Sequence, residues 1–218
     1  MEIKINGVYS NEVVTFLKSL GVNNFGFDLR PTSFNFVQLH IIQDIVKVNP
    51  NCTFTFLFQN EKDFVIKELV NFVCHETPLQ KEQVLLEFTD IHDIDSCESF
   101  EMNYIWHFSD LTNYRKILHA KYLRVISLSQ NHMQDYQEKQ QFFPLLKELY
   151  ELKRPSNLLD LRINWTEAPG ESIIDFIKPN LLTLEIDNSV QSSYRQLDNQ
   201  IIQIHLSHIK EMLSGGVA

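Results

Sequence analysis

Several short stretches of this 218-residue sequence bring together side chains that can move a proton or hold an ion. "TDIHDIDS" carries Asp90, His92, Asp93 and Asp95. Carboxylates and an imidazole at this density suggest a metal. The run lacks the central glycine and closing glutamate of a calcium loop, and it lacks the ligand spacing of a zinc site. It therefore reads as a solvated acidic turn, and neither a metal nor another cofactor is expected. "NLLDLRI" presents Asp160, "YIWHF" presents His107, and "LEIDN" presents Glu185 and Asp187, each near the end of an apolar run. An aspartate or histidine so placed can serve as a general acid or base. Each also has a plainer role, Asp160 as a carboxylate that hydrogen-bonds a loop and His107 as a packed histidine bonded to backbone. Asn6 precedes Gly7, and an Asn-Gly pair serves a tight turn as readily as a ligand.

The elements that must position these residues follow from hydrophobic periodicity. "EIKI" is a short strand. Ser10 is a plausible N-cap for a helix with Val13, Val14, Phe16, Leu17 and Leu20 on one face, closed by Gly21. "NNFGFDL" is a second strand, then a helix carries Leu39, Ile42, Ile45 and Val46, and "CTFTFLF" is a third strand followed by the amphipathic "EKDFVIKELVNFV". Residues 78–103 break the rhythm with a strand-like "QVLLEF" and a polar acidic stretch, and are expected to be an insertion. The alternation resumes with the strands "YIWHF", "YLRVISL", "NLLDLRI", "LLTLEID" and "IIQIHL", with helices at "DLTNYRKIL", 132–152 (interrupted at Pro144) and "GESIIDFI" between the first four. Without "QVLLEF" that gives eight strands alternating with helices, the pattern of a single-domain (β/α)8 TIM barrel over 1–218 with the insertion before its fourth strand. An open doubly wound sheet is the alternative, but no Gly-x-Gly-x-x-Gly follows the first strand.

Composition narrows the function. The net charge of −9 and pI of about 5.3 disfavour nucleic acid and anionic lipid as partners. No apolar run approaches the roughly 18 residues of a membrane helix, and nothing resembles a secretory leader, so a cytoplasmic location is expected. Cys52, Cys74 and Cys97 are odd in number and form no CxxC, as expected of reduced thiols. Only six glycines are present, few for a protein that would hold phosphate on backbone amides.

Beyond these derivations, "IKINGVYSNEVVTFLKSLGVNNFGFDLRPTSFNFV" resembles the opening of the phosphoribosylanthranilate isomerases: a Lys-Ile-Cys-Gly strand end, a helix, a Gly-Phe-hydrophobic-Phe strand and a Pro-x-Ser-x-Arg loop. Lys4, Ile5, Asn6 and Gly7, then Gly26 and Phe27, then Pro31, Ser33, Asn35 and Phe36 take those places. "YIWHF" looks like the family's strand four, Leu-His-Gly, with His107 in the histidine place, and "NLLDLRI" resembles its strand six, Leu-Leu-Asp. The resemblance implies a barrel and an Amadori isomerase of tryptophan biosynthesis, with an aspartate as general acid and a cysteine as base. Asp160 takes the acid position. Asn6 replaces the base, and a carboxamide has no proton affinity near pH 7. Asn35 replaces an arginine of the substrate site. Glu185 and Asp187 stand where the resemblance implies phosphate-binding glycines. The expectation is a catalytically degenerate isomerase-like barrel that binds a small molecule or a protein partner, with Asn6, Asn35, His107, Asp160 and Glu185 gathered at its mouth. The alternatives are an active isomerase, or an enzyme with different chemistry at the same mouth.

Overall fold

The computed structural model describes residues 1–90, 93–110, 113–165 and 171–215. Eight parallel strands close into a barrel in chain order: β1 (Glu2–Asn6), β2 (Asn24–Asp28), β3 (Thr53–Phe58), β4 (Leu85–Phe88), β5 (Tyr104–His107), β6 (Leu123–Ser129), β7 (Leu158–Arg162) and β8 (Leu181–Glu185), with β8 returning to β1. The helices α1 (Asn11–Ser19), α2 (Leu39–Val48), α3 (Asp63–His75), α4 (Ile94–Glu98), α5 (Gln130–Glu138), α6 (Phe142–Leu152), α7 (Glu171–Ile177) and α8 (Asn199–Gly215) lie in the connections and after β8. Ser10 caps α1 by accepting from the Val13 amide, as its position predicts. The β5–β6 connection, expected to be helical, is a 3₁₀ turn at Tyr114–His119. A small hairpin, β9 (Gln191–Ser193) and β10 (Gln196–Leu197), separates β8 from α8. No described helix is long and apolar enough to cross a membrane.

The barrel and its alternation are as expected, but two elements are not. Residues 78–103 are not an insertion: "QVLLEF" supplies β4, paired with β3 on one side and β5 on the other, and α4 follows it. "IIQIHL" is not the last strand but part of α8. Asp198 accepts from the Gln200 and Ile201 amides at the start of that helix. Ile202, Leu206 and Ile209 are buried along one side of it while Ile204 is exposed, a spacing of three to four. A short apolar run fits either period, and the cap decides here. Counting "IIQIHL" as a strand leaves one too many in the middle of the chain, so the two errors cancel in the total. "NLLDLRI" and "LLTLEID" are consequently the seventh and eighth barrel strands, not the sixth and seventh.

The two faces of the strands differ sharply. Outward residues such as Ile5, Phe25, Phe27, Phe54 and Phe56 join the main core beneath the helices. The ladder registers put Lys4 and Asn6, Gly26 and Asp28, Leu57, Glu87, His107, Ser127 and Ser129, Asp160 and Arg162, and Thr183 and Glu185 on the other face, inside the barrel. Barrel interiors are ordinarily filled with Val, Ile and Leu. Here a small apolar cluster, Ile105, Val125 and Leu181 with Leu85 against it, sits toward the N-terminal ends of these strands. Above it the interior is polar and largely buried.

Candidate functional site

Glu87 is the centre of the polar interior. It is 1% exposed, and an isolated carboxylate there would carry a large desolvation cost. Burial pushes its pKa up, but Lys4 and His107 overcome that and hold it well below the usual carboxylate range. Lys4 Nζ lies 2.5 Å from Oε2, His107 Nε2 lies 2.8 Å from Oε1, and Asn6 Nδ2 lies 3.3 and 3.2 Å from the two oxygens. Burial, and then the Arg162 charge, lower the pKa of His107 against the pull of Glu87. The imidazole is therefore neutral at pH 7, and because an ionised carboxylate only accepts, Nε2 carries the proton that Glu87 receives.

Above this network the barrel opens at its C-terminal mouth into a cavity of about 190 Å³. Asn6, Glu87, His107, Arg162, Trp165, Thr183, Glu185 and Asp187 are among its lining residues. Catalytic groups of α/β barrels gather at this end, on the strand ends and the loops after them. Trp165 is fixed by its indole Nε1, which donates to the Glu185 carbonyl at 2.6 Å. Glu185 Oε1 pairs with Arg30 at 3.1 Å, and Arg30 in turn grips Asp28 through Nε and Nη2.

Of the residues singled out in the sequence, the structure brings Asn6, His107, Glu185 and Asp187 together at this cavity and leaves Asp160 and Asn35 out. Asp160 is fully buried inside the barrel on β7, where Ser127 Oγ and Thr183 Oγ1 donate to its two oxygens at 2.6 and 2.7 Å. Burial raises its pKa. Asn35 is 3% exposed, and its Nδ2 donates to the Ile186 carbonyl at 2.6 Å, tying the segment after β2 to the segment after β8. No cysteine lines the cavity, and burial pushes the Cys97 thiol up to about 12. In the acidic run, Asp93 and Asp95 both pair with Lys116, and His92 lies outside the described residues. Among the described residues no group of three or more His, Cys, Asp or Glu side chains is arranged to hold a metal.

No protein-family model and no curated protein matches this chain. Solved structures do. A phosphoribosylanthranilate isomerase in complex with reduced 1-(o-carboxyphenylamino)-1-deoxyribulose 5-phosphate aligns at a TM-score of 0.67 and 18% identity, over 96% of this chain and 98% of that one. The enzyme from Thermus thermophilus aligns at 0.67 and 15%, over 97% and 100%. TrpF from Jonesia denitrificans aligns at 0.69 and 12%, over 98% of each. The fold is the closed (β/α)8 barrel that these isomerases share. At these identities the likeness concerns the barrel and its dimensions. The isomerase-like barrel leaves open what occupies the mouth, which the side chains must decide.

Lys4, Glu87, Arg162 and Thr183 were not singled out by sequence reasoning, although a signal was present. In "EIKIN", "LLEF", "LLDLR" and "LLTLE" polar residues alternate with apolar ones. The apolar set faces the helices, so the polar set must face the barrel interior. Glu87 is hidden in the sequence because its strand falls in the stretch that reads as an insertion.

Proposed function

We propose that this chain is a phosphoribosylanthranilate isomerase-like barrel that binds a small molecule at its C-terminal mouth and does not catalyse the isomerisation. The observation that carries this reading is the state of Asn6. At the position where the sequence resemblance implies the base, the side chain is a carboxamide whose Nδ2 faces both oxygens of a buried, ionised Glu87. It can neither take a proton nor leave Glu87 without loss. Two further features support the reading. Asp160 is fully buried, bonded by Ser127 and Thr183, is not among the residues that line the cavity, and stands on the seventh strand where the resemblance implies an acid on the sixth. Glu185 and Asp187 bring negative charge to the rim, which opposes a phosphate dianion. Three cysteines outside any disulfide, two of them buried, fit a reducing, cytoplasmic setting.

A second reading, a barrel enzyme with a different proton-transfer reaction, is favoured by one feature. Glu87 and His107 both line the cavity, and their pKa values are pushed down by their surroundings. The experiment that separates these readings is an isomerase assay on the purified chain, alongside complementation of a strain lacking the isomerase and calorimetry with the reduced substrate analogue. No turnover, no complementation and no micromolar binding are expected. Turnover abolished by Asp160→Asn would overturn the proposal.

A further inference from the structure

We propose that the barrel mouth receives a small zwitterion of the amino-acid class, its carboxylate held by Arg162 and its ammonium group facing Glu185 and Asp187. This inference rests on the reading of the mouth as a non-isomerase ligand site and narrows it to one ligand chemistry.

Arg162 ends β7 on the inner face of the barrel and lines the cavity. Its Nε is enclosed, and among the described residues no acceptor meets it. Arg30 shows what a satisfied guanidinium looks like here, bonded through Nε and Nη2 to Asp28 and through Nη2 to Glu185. An enclosed Nε offers no surface to a ligand, so Arg162 can act there only through the guanidinium atoms that reach the cavity wall. A ligand carboxylate would meet them in the two-point geometry that a planar fork offers and a phosphate-binding lysine does not. The hydroxyl of Thr183, opposite Arg162 in the ladder, is already committed to Asp160 and does not compete.

The charges around the cavity select the rest of the ligand. Lys4 offsets Glu87, Arg30 offsets Asp28, and His107 is neutral. Counting the groups at and beneath the cavity, Lys4, Arg30 and Arg162 face Glu87, Asp28, Glu185 and Asp187, a local balance of +3 − 4 = −1. Among the described residues, Arg30 meets only Oε1 of Glu185 and Ser189 only Oδ1 of Asp187. A dianion meets net repulsion at this rim. A bare monocarboxylate satisfies Arg162 but leaves the two acids facing its anionic surroundings. A ligand bearing both charges satisfies both. The cavity, about 190 Å³, is smaller than the roughly 300 Å³ at which sites for drug-sized ligands begin, which fits a molecule of this class.

The test is calorimetry on the full chain with each of the proteinogenic amino acids, with the amine and carboxylic-acid halves of any that bind, and with ribose 5-phosphate. At least one amino acid is expected to bind with a Kd of about 100 µM or lower, and each half at least about tenfold more weakly. Arg162→Gln should weaken that amino acid at least about tenfold, and Arg162→Lys should recover only part of it, since it keeps the charge and loses the fork. Glu185→Gln should weaken the amino acid and strengthen the carboxylic-acid half. Far-UV circular dichroism establishes that each variant is folded. No amino acid bound by the wild-type chain, or binding untouched by Arg162→Gln in a folded variant, overturns this inference while leaving the broader ligand-binding reading in place. Tight binding of ribose 5-phosphate overturns both.

Discussion

Asn6 Oδ1 sits where a side chain on Gly26 would have to go. A Cβ built on Gly26 would lie 2.1 Å from that oxygen and 2.8 Å from Asn6 Cγ. The carboxamide cannot simply turn away, because its Nδ2 faces Glu87 and an ionised carboxylate accepts only from a donor. Oδ1 is thereby driven against β2, where it finds no donor among the described residues. One glycine on β2, one amide on β1 and one carboxylate on β4 thus form a single packing unit at the top of the barrel.

Gly26→Ala is accordingly expected to destabilise the chain by about 1–3 kcal/mol through overpacking. Gly26 has no positive φ, so the loss would come from the clash and not from backbone strain. The double variant Gly26→Ala/Asn6→Ala should be more stable than the sum of the single losses implies, because removing the amide relieves the closest part of the clash and leaves only Leu57 Cδ1, 2.8 Å from the new methyl, to give way. Urea denaturation of the four proteins measures that coupling, and simple additivity would refute the unit.

The Lys4–Glu87 pair should show the asymmetry of buried ion pairs. Glu87→Leu leaves the Lys4 ammonium buried without its anion and is expected to cost about 3–5 kcal/mol. Lys4→Met/Glu87→Leu should recover much of this, though not all, since Asn6 and His107 also lose their acceptor. Because the folded-state pKa of Glu87 is depressed, its contribution is complete above its ordinary value of 4.5 and is lost as the pH falls through the folded value. Urea midpoints at neutral pH rank the variants. A double variant no more stable than Glu87→Leu would contradict the account.

Much of this architecture is legible in the sequence, and the remainder is hidden for identifiable reasons. Strands and helices alternate strongly enough to give the closed barrel, since Phe54, Phe56 and Phe58 or Ile3 and Ile5 have only one apolar surface to reach. The ambiguity fell on "QVLLEF" and "IIQIHL", runs too short to carry a period of their own. Asn6, His107 and Glu185 reach the mouth because they lie on the inward side at strand ends. Asp160 lies on the same inward side but one layer deeper, and its depth depends on the stagger of β7 against β6 and β8, which only the ladder fixes. Asn35 bonds Ile186, 151 positions away, a contact no local pattern announces.

His107 should make stability depend on pH between 7.5 and 5.5. Its pKa is lowered in the folded chain, so below the ordinary value of 6.5 the unfolded chain binds the proton first. Stability then falls with falling pH, by at most about 1.4 kcal/mol per pH unit from this group. His107→Gln keeps a donor for Glu87 and removes the titration, so the wild-type curve should fall away from the variant's as the pH drops. Urea unfolding at intervals across that range decides it, and parallel curves would mean that His107 does not titrate as described.

On the proposed reading, a thiol placed at position 6 should not make the chain an isomerase. If the remainder of the active site were intact, Asn6→Cys would return the roughly 10²–10⁴-fold that a positioned proton-transfer group supplies. Three features oppose this. A thiol at position 6 would lie beside the ionised Glu87, and like charge in a buried site holds a thiol in its protonated form, whereas the thiolate is the working species. Asp160 is fully buried, bonded by Ser127 and Thr183, and does not line the cavity, so it does not reach a ligand there. At the rim, Glu185 and Asp187 oppose the phosphate of the substrate. The expected outcome is an Asn6→Cys variant that folds, reacts slowly with thiol reagents, and shows no turnover of phosphoribosylanthranilate above background in a fluorescence assay. Turnover from this single change would mean that the acid and the phosphate site survive in a form that Asp160, Glu185 and Asp187 do not disclose, and that the barrel lost its chemistry at Asn6 alone.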